Sequence, residues 1–222
     1  MMIKVVFVDY MGTLKEDTNS HGKAAIVRIS EHSTIQDVNE TFKIWVEGFY
    51  RLINESYQQT FLTQDDIALN LLRMFENQYG LKDDISELLK VLQRSWVTSA
   101  AFPDTLPFLQ NCPLPVYILS NSYTQYVSDG MAYSNLGPYD GIVYGDMVRA
   151  YKPRAEIFEK GLEIAGCKPA EAMHIGDSFQ SDYLGAMDAG MRGIWLNRNG
   201  KSVPEGVEAV SDLLQVLPLL KG

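Results

Sequence analysis

The sequence predicts an α/β fold: a Rossmann-like parallel sheet with helices on both faces, interrupted by an inserted α-helical bundle. Three observations lead there. The chain opens on a short apolar run, Val5 to Val8, that ends in Asp9. Residues 15–99 carry helical spacing and no strand pattern. From about residue 100 onward, short apolar runs alternate with helical patterns, as expected for strand–helix–strand units and parallel pairing.

The first run has the length and β-branched content of a fully buried strand. Gly12 marks the turn that follows it. Within the insert, Phe42, Trp45, Val46, Phe49, Leu52 and Ile53 keep helical spacing, as do Ile67, Leu71, Leu72 and Phe75. Asp83 and Asp84 give Ile85, Leu88, Leu89 and Leu92 an acidic first turn. Breaks near Ser20, Thr34, Thr63 and Gly80 divide the block into about four helices, read as a small bundle. Asp65 and Asp66 read as a helix start.

Beyond the insert the pattern predicts a helix over 105–111, a strand over 116–119, a helix over 124–134 and a strand over 141–144. A helix over 155–165 follows, then a strand over 172–176, a helix over 181–189 closed by Gly190, a strand over 193–196 and a final helix over 213–220. The core domain is therefore discontinuous, residues 1–14 and 100–222, with a helical cap domain at 15–99. The insert leaves just beyond Asp9, so it belongs over the carboxyl ends of the strands. A lid there excludes water and selects substrate.

Composition narrows the partners. The 222 residues are 46% hydrophobic and 21% charged, ordinary for a soluble globular chain. A net charge of -9 argues against nucleic acid and against an anionic membrane surface. No apolar run approaches membrane-spanning length. Cys112 and Cys167 fit neither a zinc site nor a disulfide framework. The expectation is a cytoplasmic protein; its oligomeric state is open.

The chemistry gathers at strand ends. Asp9, Ser120 and Asp177 follow predicted strands directly, and Lys152 lies on the loop after the third. In a parallel sheet these ends share one edge, where ligands of open α/β sheets bind. Paired carboxylates suit Mg²⁺, a hard cation that prefers oxygen. A lysine and a hydroxyl suit phosphate oxygens. A free carboxylate can act as nucleophile, and the lysine offsets its repulsion from an anionic substrate.

Four motifs occur in order: D-x-x-G-T-L from Asp9 to Leu14, S-N at Ser120 and Asn121, K-P at Lys152 and Pro153, and G-D-S-x-x-x-D from Gly176 to Asp182. Together they resemble the haloacid dehalogenase-like hydrolase superfamily, and the insert resembles that family's C1-type cap. The resemblance implies Asp9 as nucleophile and Lys152 as a catalytic and substrate-binding cation. It implies Mg²⁺ held by Asp9, the Met11 backbone carbonyl and Asp177, with Asp182 in or just behind the metal shell. It also implies phosphoryl binding by Ser120 and Asn121, with Thr13 supporting the first loop at the substrate end. The implied substrate is a small phosphorylated molecule, cleaved through an aspartyl-phosphate.

Met11 departs from the pattern. Phosphatases of this family usually carry a second aspartate there as general acid and base, and a thioether serves neither purpose. Two alternatives follow. The 2-haloacid dehalogenases use D-x-Y-G-T-L without metal, but they lack the carboxylate that Asp177 supplies. A ligand-binding member without turnover fits Met11, but does not require the set Asp9, Lys152, Asp177 and Asp182. Elsewhere, His174 reads as a packed core histidine. Trp45, Phe49 and Tyr50 read as cap core, with room for one to line the pocket. His21, Lys23 and Arg28 read as solvated linker positions.

Overall fold

The computed structural model describes residues 2–220. Strands β1 (Val5–Val8), β2 (Val116–Ser120), β3 (Gly141–Tyr144), β4 (Ala172–Gly176), β5 (Arg192–Leu196) and β6 (Ala209–Val210) form one parallel sheet in the order β3-β2-β1-β4-β5-β6. The chain starts at the centre and builds outward both ways. The strand order reverses at β1, and the crevice at its carboxyl end is where such sheets bind ligands.

Side chains alternate across β1 as a pleated strand requires. Val6 and Val8 point to one face, packing with Ile118, Ile175 and Ile194 against Phe108, Val127, Met131 and Val216. Val5 and Phe7 point to the other, with Leu119 and Val143 against Ile157, Phe158 and Leu162. Helices α5 (Thr105–Asn111) and α6 (Thr124–Tyr133) cover the first face, and α7 (Ala155–Ala165) covers the second. Both faces are buried, which is why β1 is apolar throughout.

The inserted block is helical: α1 (Ser20–Glu31), α2 (Val38–Glu55), α3 (Gln64–Tyr79) and α4 (Ile85–Thr98). Each start is capped by a side chain, from Asn19, Asp37, Thr63 and Asp84. Thr63 and Asp66 form a reciprocal capping box. The four helices enclose their own core of Ile29, Trp45, Ile67, Leu71, Phe75 and Leu88. They rest on α6 and on the loops that follow β2 and β3. Tyr151 Oη donates to the Leu62 carbonyl at 2.8 Å, Tyr126 Oη to Asp65 at 2.7 Å and the Tyr123 N–H to Gln64 at 3.0 Å.

One expectation is corrected. The helix expected over 181–189 is a wide π turn, Phe179–Leu184, followed by the short α8 (Gly185–Asp188). The wider turn accompanies an inward Asp182, whose carboxyl lies where a Cβ on Gly176 would sit. The final segment, Leu213–Leu220, is helical as expected and takes 3₁₀ form, with Pro218 inside it. Strand β6 carries no readable period because it is two residues long. Among the described residues, no helix is long and apolar enough to cross a membrane.

Candidate active site

Asp9 is the residue immediately after β1, and its N–H bonds to the Ile175 carbonyl of β4 at 2.9 Å. Asp177 is the residue immediately after β4. Adjacent parallel strands thus deliver two carboxylates side by side. Asp182 comes in from the π turn. One oxygen from each of Asp9, Asp177 and Asp182 lies within 4.8 Å of the others.

Lys152 is buried among them. Its ammonium donates to Asp9 Oδ1 at 2.6 Å, to Asp182 Oδ1 at 2.6 Å and to the Leu119 carbonyl at 3.0 Å. All three of its protons are therefore used. Asn121 clamps the Lys152 backbone from both sides: Oδ1 accepts its N–H at 2.7 Å and Nδ2 donates to its carbonyl at 3.3 Å. The Asn121 side chain thus orients the lysine. Ser120 Oγ accepts the Ser122 N–H at 3.0 Å, which leaves its own proton available.

Around Asp177 the support is equally local. Gly12 has φ +79°, and a Cβ there would meet the Asp177 carboxyl carbon at 2.5 Å. Only glycine permits both that turn and that approach. The Asp177 N–H donates to Thr13 Oγ1 at 3.1 Å, and Thr13 Oγ1 donates to Asp177 Oδ1 at 3.3 Å. Thr13 is fully buried, so its hydroxyl holds the first loop to Asp177. Trp195 Nε1 donates to the Asp177 carbonyl at 2.9 Å. Arg198 reaches the Thr13 carbonyl at 2.8 Å while gripping both oxygens of Asp104. The Met11 side chain packs against the apolar cluster on the sheet's first face. Its carbonyl accepts no hydrogen bond among the described residues.

The electrostatics follow from burial and crowding. Burial, opposed by Lys152 and reinforced by Asp182 and Asp177, pushes the Asp9 carboxyl up to about 7. Burial, then Asp182 and Asp17, push Asp177 up to about 7. Burial alone would raise Asp182 too, but Lys152 and His174 hold it well below the usual carboxylate range. Burial lowers His174, which is fully enclosed and meets Asp182 Oδ1 through Nε2 at 2.9 Å. Three carboxyl groups against one ammonium leave the cluster short of positive charge, which is why Asp9 and Asp177 are pushed toward holding a proton. A divalent cation fits that deficit, and the donors are all hard oxygens.

A solvent-open cleft of about 350 Å³ runs along the Asp177 side, lined by Gly12, Asp17, Phe102, Asp177, Arg198 and Lys201, among others. From the inserted helices, Trp45 and Phe49 belong to the helical core, but Tyr50 is 62% exposed. Desolvation first, then Asp17, Asp177, Asp9 and Asp182, raise its phenol. Arg28 is paired with Asp83, and His21 contacts Thr98 Oγ1 at 3.2 Å, so both serve the insert's own structure.

Sequence reasoning missed the Asn121 clamp, the Trp195 contact, the Arg198–Asp104 brace and Asp17. Of these, Asn121 had a signal, in its place beside Ser120 at a strand end. His174 was expected as core and is buried; its bond to Asp182 had no local signature.

A central strand that ends in a carboxylate, a crowded carboxylate cluster and a buried lysine on a Rossmann-like sheet mark a candidate active site. Residues 3–190 match the haloacid dehalogenase-like hydrolase family, and the chain belongs to it. Its relatives include a glyceraldehyde 3-phosphate phosphatase of Methanothermobacter thermautotrophicus, 42% identical over 59 residues, 27% of this chain and 26% of that enzyme. The chain thus spans about a quarter of that relative's length. The pyrimidine 5'-nucleotidase PynA of Streptococcus pneumoniae is 25% identical over 203 residues, 89% of this chain and 85% of that enzyme. Among solved structures, an L-2-haloacid dehalogenase superposes with TM-score 0.82 at 18% identity over 100% of both chains. The magnesium-bound HAD-hydrolase YfnB of Bacillus subtilis superposes with TM-score 0.75 at 18% identity over 100% of both chains. At such identities these superpositions show the fold alone.

Proposed function

We propose that this hydrolase is a Mg²⁺-dependent phosphohydrolase acting on a small phosphorylated molecule. The catalytic domain comprises residues 1–14 and 100–222, and residues 15–99 form a cap over it. The observation that carries this reading is the convergence of Asp9, Asp177 and Asp182 with Lys152 seated between Asp9 and Asp182. Relatives named as a sugar-phosphate phosphatase and a nucleotidase support the substrate class.

In this reading Asp9 attacks phosphorus, the bond to the leaving oxygen breaks, and an aspartyl-phosphate forms. Water then attacks phosphorus, the Asp9–phosphorus bond breaks, and phosphate leaves. Ser120 Oγ and the Asn121 N–H donate to the phosphoryl oxygens, and Lys152 offsets their charge. Asp9, Asp177, Asp182 and the Met11 carbonyl are the groups that would hold Mg²⁺, which would supply positive charge for the phosphoryl oxygens. Thr13 and Gly12 fix Asp177. The cap admits substrate when open and excludes bulk water when closed.

The test is hydrolysis of an aryl phosphate with and without Mg²⁺, with Asp9→Asn as control. An aryl oxygen leaves without a proton, so Met11 does not mask the chemistry. Turnover requiring both Mg²⁺ and Asp9 is expected. Full turnover in Asp9→Asn, or none in folded wild type with Mg²⁺, refutes the proposal.

A further inference from the structure

Lys152 sits on the segment 149–154 between β3 and α7, and that segment is clasped to the connection between α2 and α3. The Gln58 N–H donates to the Arg149 carbonyl at 2.9 Å, and Arg149 Nε donates back to the Gln58 carbonyl at 2.6 Å. Arg154 Nη2 donates to the Asn54 carbonyl at 2.8 Å, and its guanidinium lies 4.3 Å from the centre of the Tyr57 ring. Gln58 and Arg149, bonded to each other here, have φ of +48° and +53°. Residues other than glycine hold that conformation where the surrounding contacts enforce it.

Tyr151 reaches furthest into the inserted block. It is 2% exposed and belongs to the apolar core of the inserted helices, with its ring centre 4.9 Å from that of Phe61. Its hydroxyl donates to the Leu62 carbonyl at 2.8 Å. Gly145 leaves room for the ring, since a Cβ there would lie 2.7 Å from Tyr151 Cδ1. A residue that follows β3 is thus built into the core of the insert, and the next residue along is Lys152.

We infer that Tyr151 is a positioning residue: anchored in the core of the inserted helices, it makes the seating of that block a condition for Lys152 to bridge Asp9 and Asp182. For turnover this rests on the phosphohydrolase reading; for the placement of Lys152 it does not. The bridge is demanding. Both carboxylate contacts are 2.6 Å, and a shift of about 1 Å takes either beyond hydrogen-bond range. On its other flank the Lys152 backbone is gripped by the Asn121 amide at two points. Two points define a line about which the backbone can still turn. The Tyr151 ring, locked one residue earlier, removes that freedom.

The experiment reads the two buried lysines separately. Native protein is treated briefly with acetic anhydride, and acetylation of Lys152 and Lys15 is followed by peptide mass spectrometry in wild type, Tyr151→Phe and Phe61→Ala. Lys15 is the internal control. It is fully buried at another junction with the insert, where its ammonium donates to the Val97 and Gly130 carbonyls, both at 2.9 Å. Tyr151→Phe loses one buried hydrogen bond, so acetylation of Lys152 should speed up about fivefold. Phe61→Ala alters only the insert and removes the facing ring, and should speed it up on the order of tenfold. Lys15 should react at its wild-type rate in both. An unchanged Lys152 rate in both variants means that Asn121 alone places the lysine, and overturns the inference. Lys15 reacting faster in step with Lys152 means that the whole insert has loosened, and overturns it too. A misplacement of about 1 Å can cost on the order of 10²-fold in rate, so kcat for an aryl phosphate with Mg²⁺ should fall on the order of tenfold in Phe61→Ala. An unchanged kcat there refutes the effect on turnover. A wild type without turnover refutes the phosphohydrolase reading, while the acetylation rates still decide whether Tyr151 places Lys152.

Discussion

Replacing Lys152 by Met keeps the stem and removes the charge, which isolates what the ammonium does for the cluster. Its side chain is 2% exposed and bridges Asp9 and Asp182 at 2.6 Å each. Removing one member of such a buried pair costs about 3–5 kcal/mol, because the partner charge stays behind unpaired. The two carboxylates respond differently. Asp9, already pushed up to about 7, can take a proton. Asp182 is still gripped by the Ser178 N–H at 3.0 Å and by His174, and stays ionised. The loss therefore sits near the lower end, about 3 kcal/mol at pH 7.5 without Mg²⁺. In a chain of this size that lowers Tm by on the order of 10 °C. Asp182 lies below its ordinary value when folded, so its stabilisation is present above the usual carboxylate range and is lost as pH falls through the folded value. Asp9 lies above its ordinary value and takes a proton as pH falls, after which it no longer needs the ammonium, while Asp182 stays ionised; the deficit of Lys152→Met should therefore be full near pH 7.5 and narrower at pH 4.5. Urea unfolding in EDTA, followed by tryptophan fluorescence at pH 7.5 and 4.5, measures it. A variant as stable as wild type at pH 7.5, or a deficit that widens in acid, refutes this account of the cluster.

Two further substitutions probe the supports. Gly12→Ala places a Cβ 2.5 Å from the Asp177 carboxyl carbon at φ +79°; strain of about 1–2 kcal/mol and a displaced Asp177 should shrink the Mg²⁺-induced rise in Tm. An unchanged rise would mean that Asp177 does not help hold the ion. His174→Gln loses the 2.9 Å contact to Asp182 and should cost about 1–3 kcal/mol at pH 7.5. Because burial lowers the His174 imidazole, its neutral form stabilises the fold above the ordinary histidine value, and that contribution drains away as pH falls below it. The difference between wild type and variant in urea should therefore shrink from pH 7 to pH 5; a constant difference contradicts a neutral buried imidazole.

Much of the scaffold was written in local pattern. Val5 to Val8 form a strand that is apolar along its length because both of its faces are buried. The four inserted helices announced themselves by period and by the breaks near Ser20, Thr34, Thr63 and Gly80. The Phe179–Leu184 turn defeated the same reasoning, since its π geometry answers to where Asp182 must reach, and no helical period encodes that.

The sequence by itself determined which residues end which strands, and so that Asp9, Ser120, Lys152 and Asp177 share one edge of a parallel sheet. That follows from chain connectivity and hydrophobic period, which are local. Only the tertiary structure decided that Lys152 bridges Asp9 to Asp182, that Asn121 holds Lys152 by its backbone, and that Thr13 ties the first loop to Asp177. Those relations join residues far apart in the chain, and they depend on how loops settle once the sheet and the inserted helices have packed.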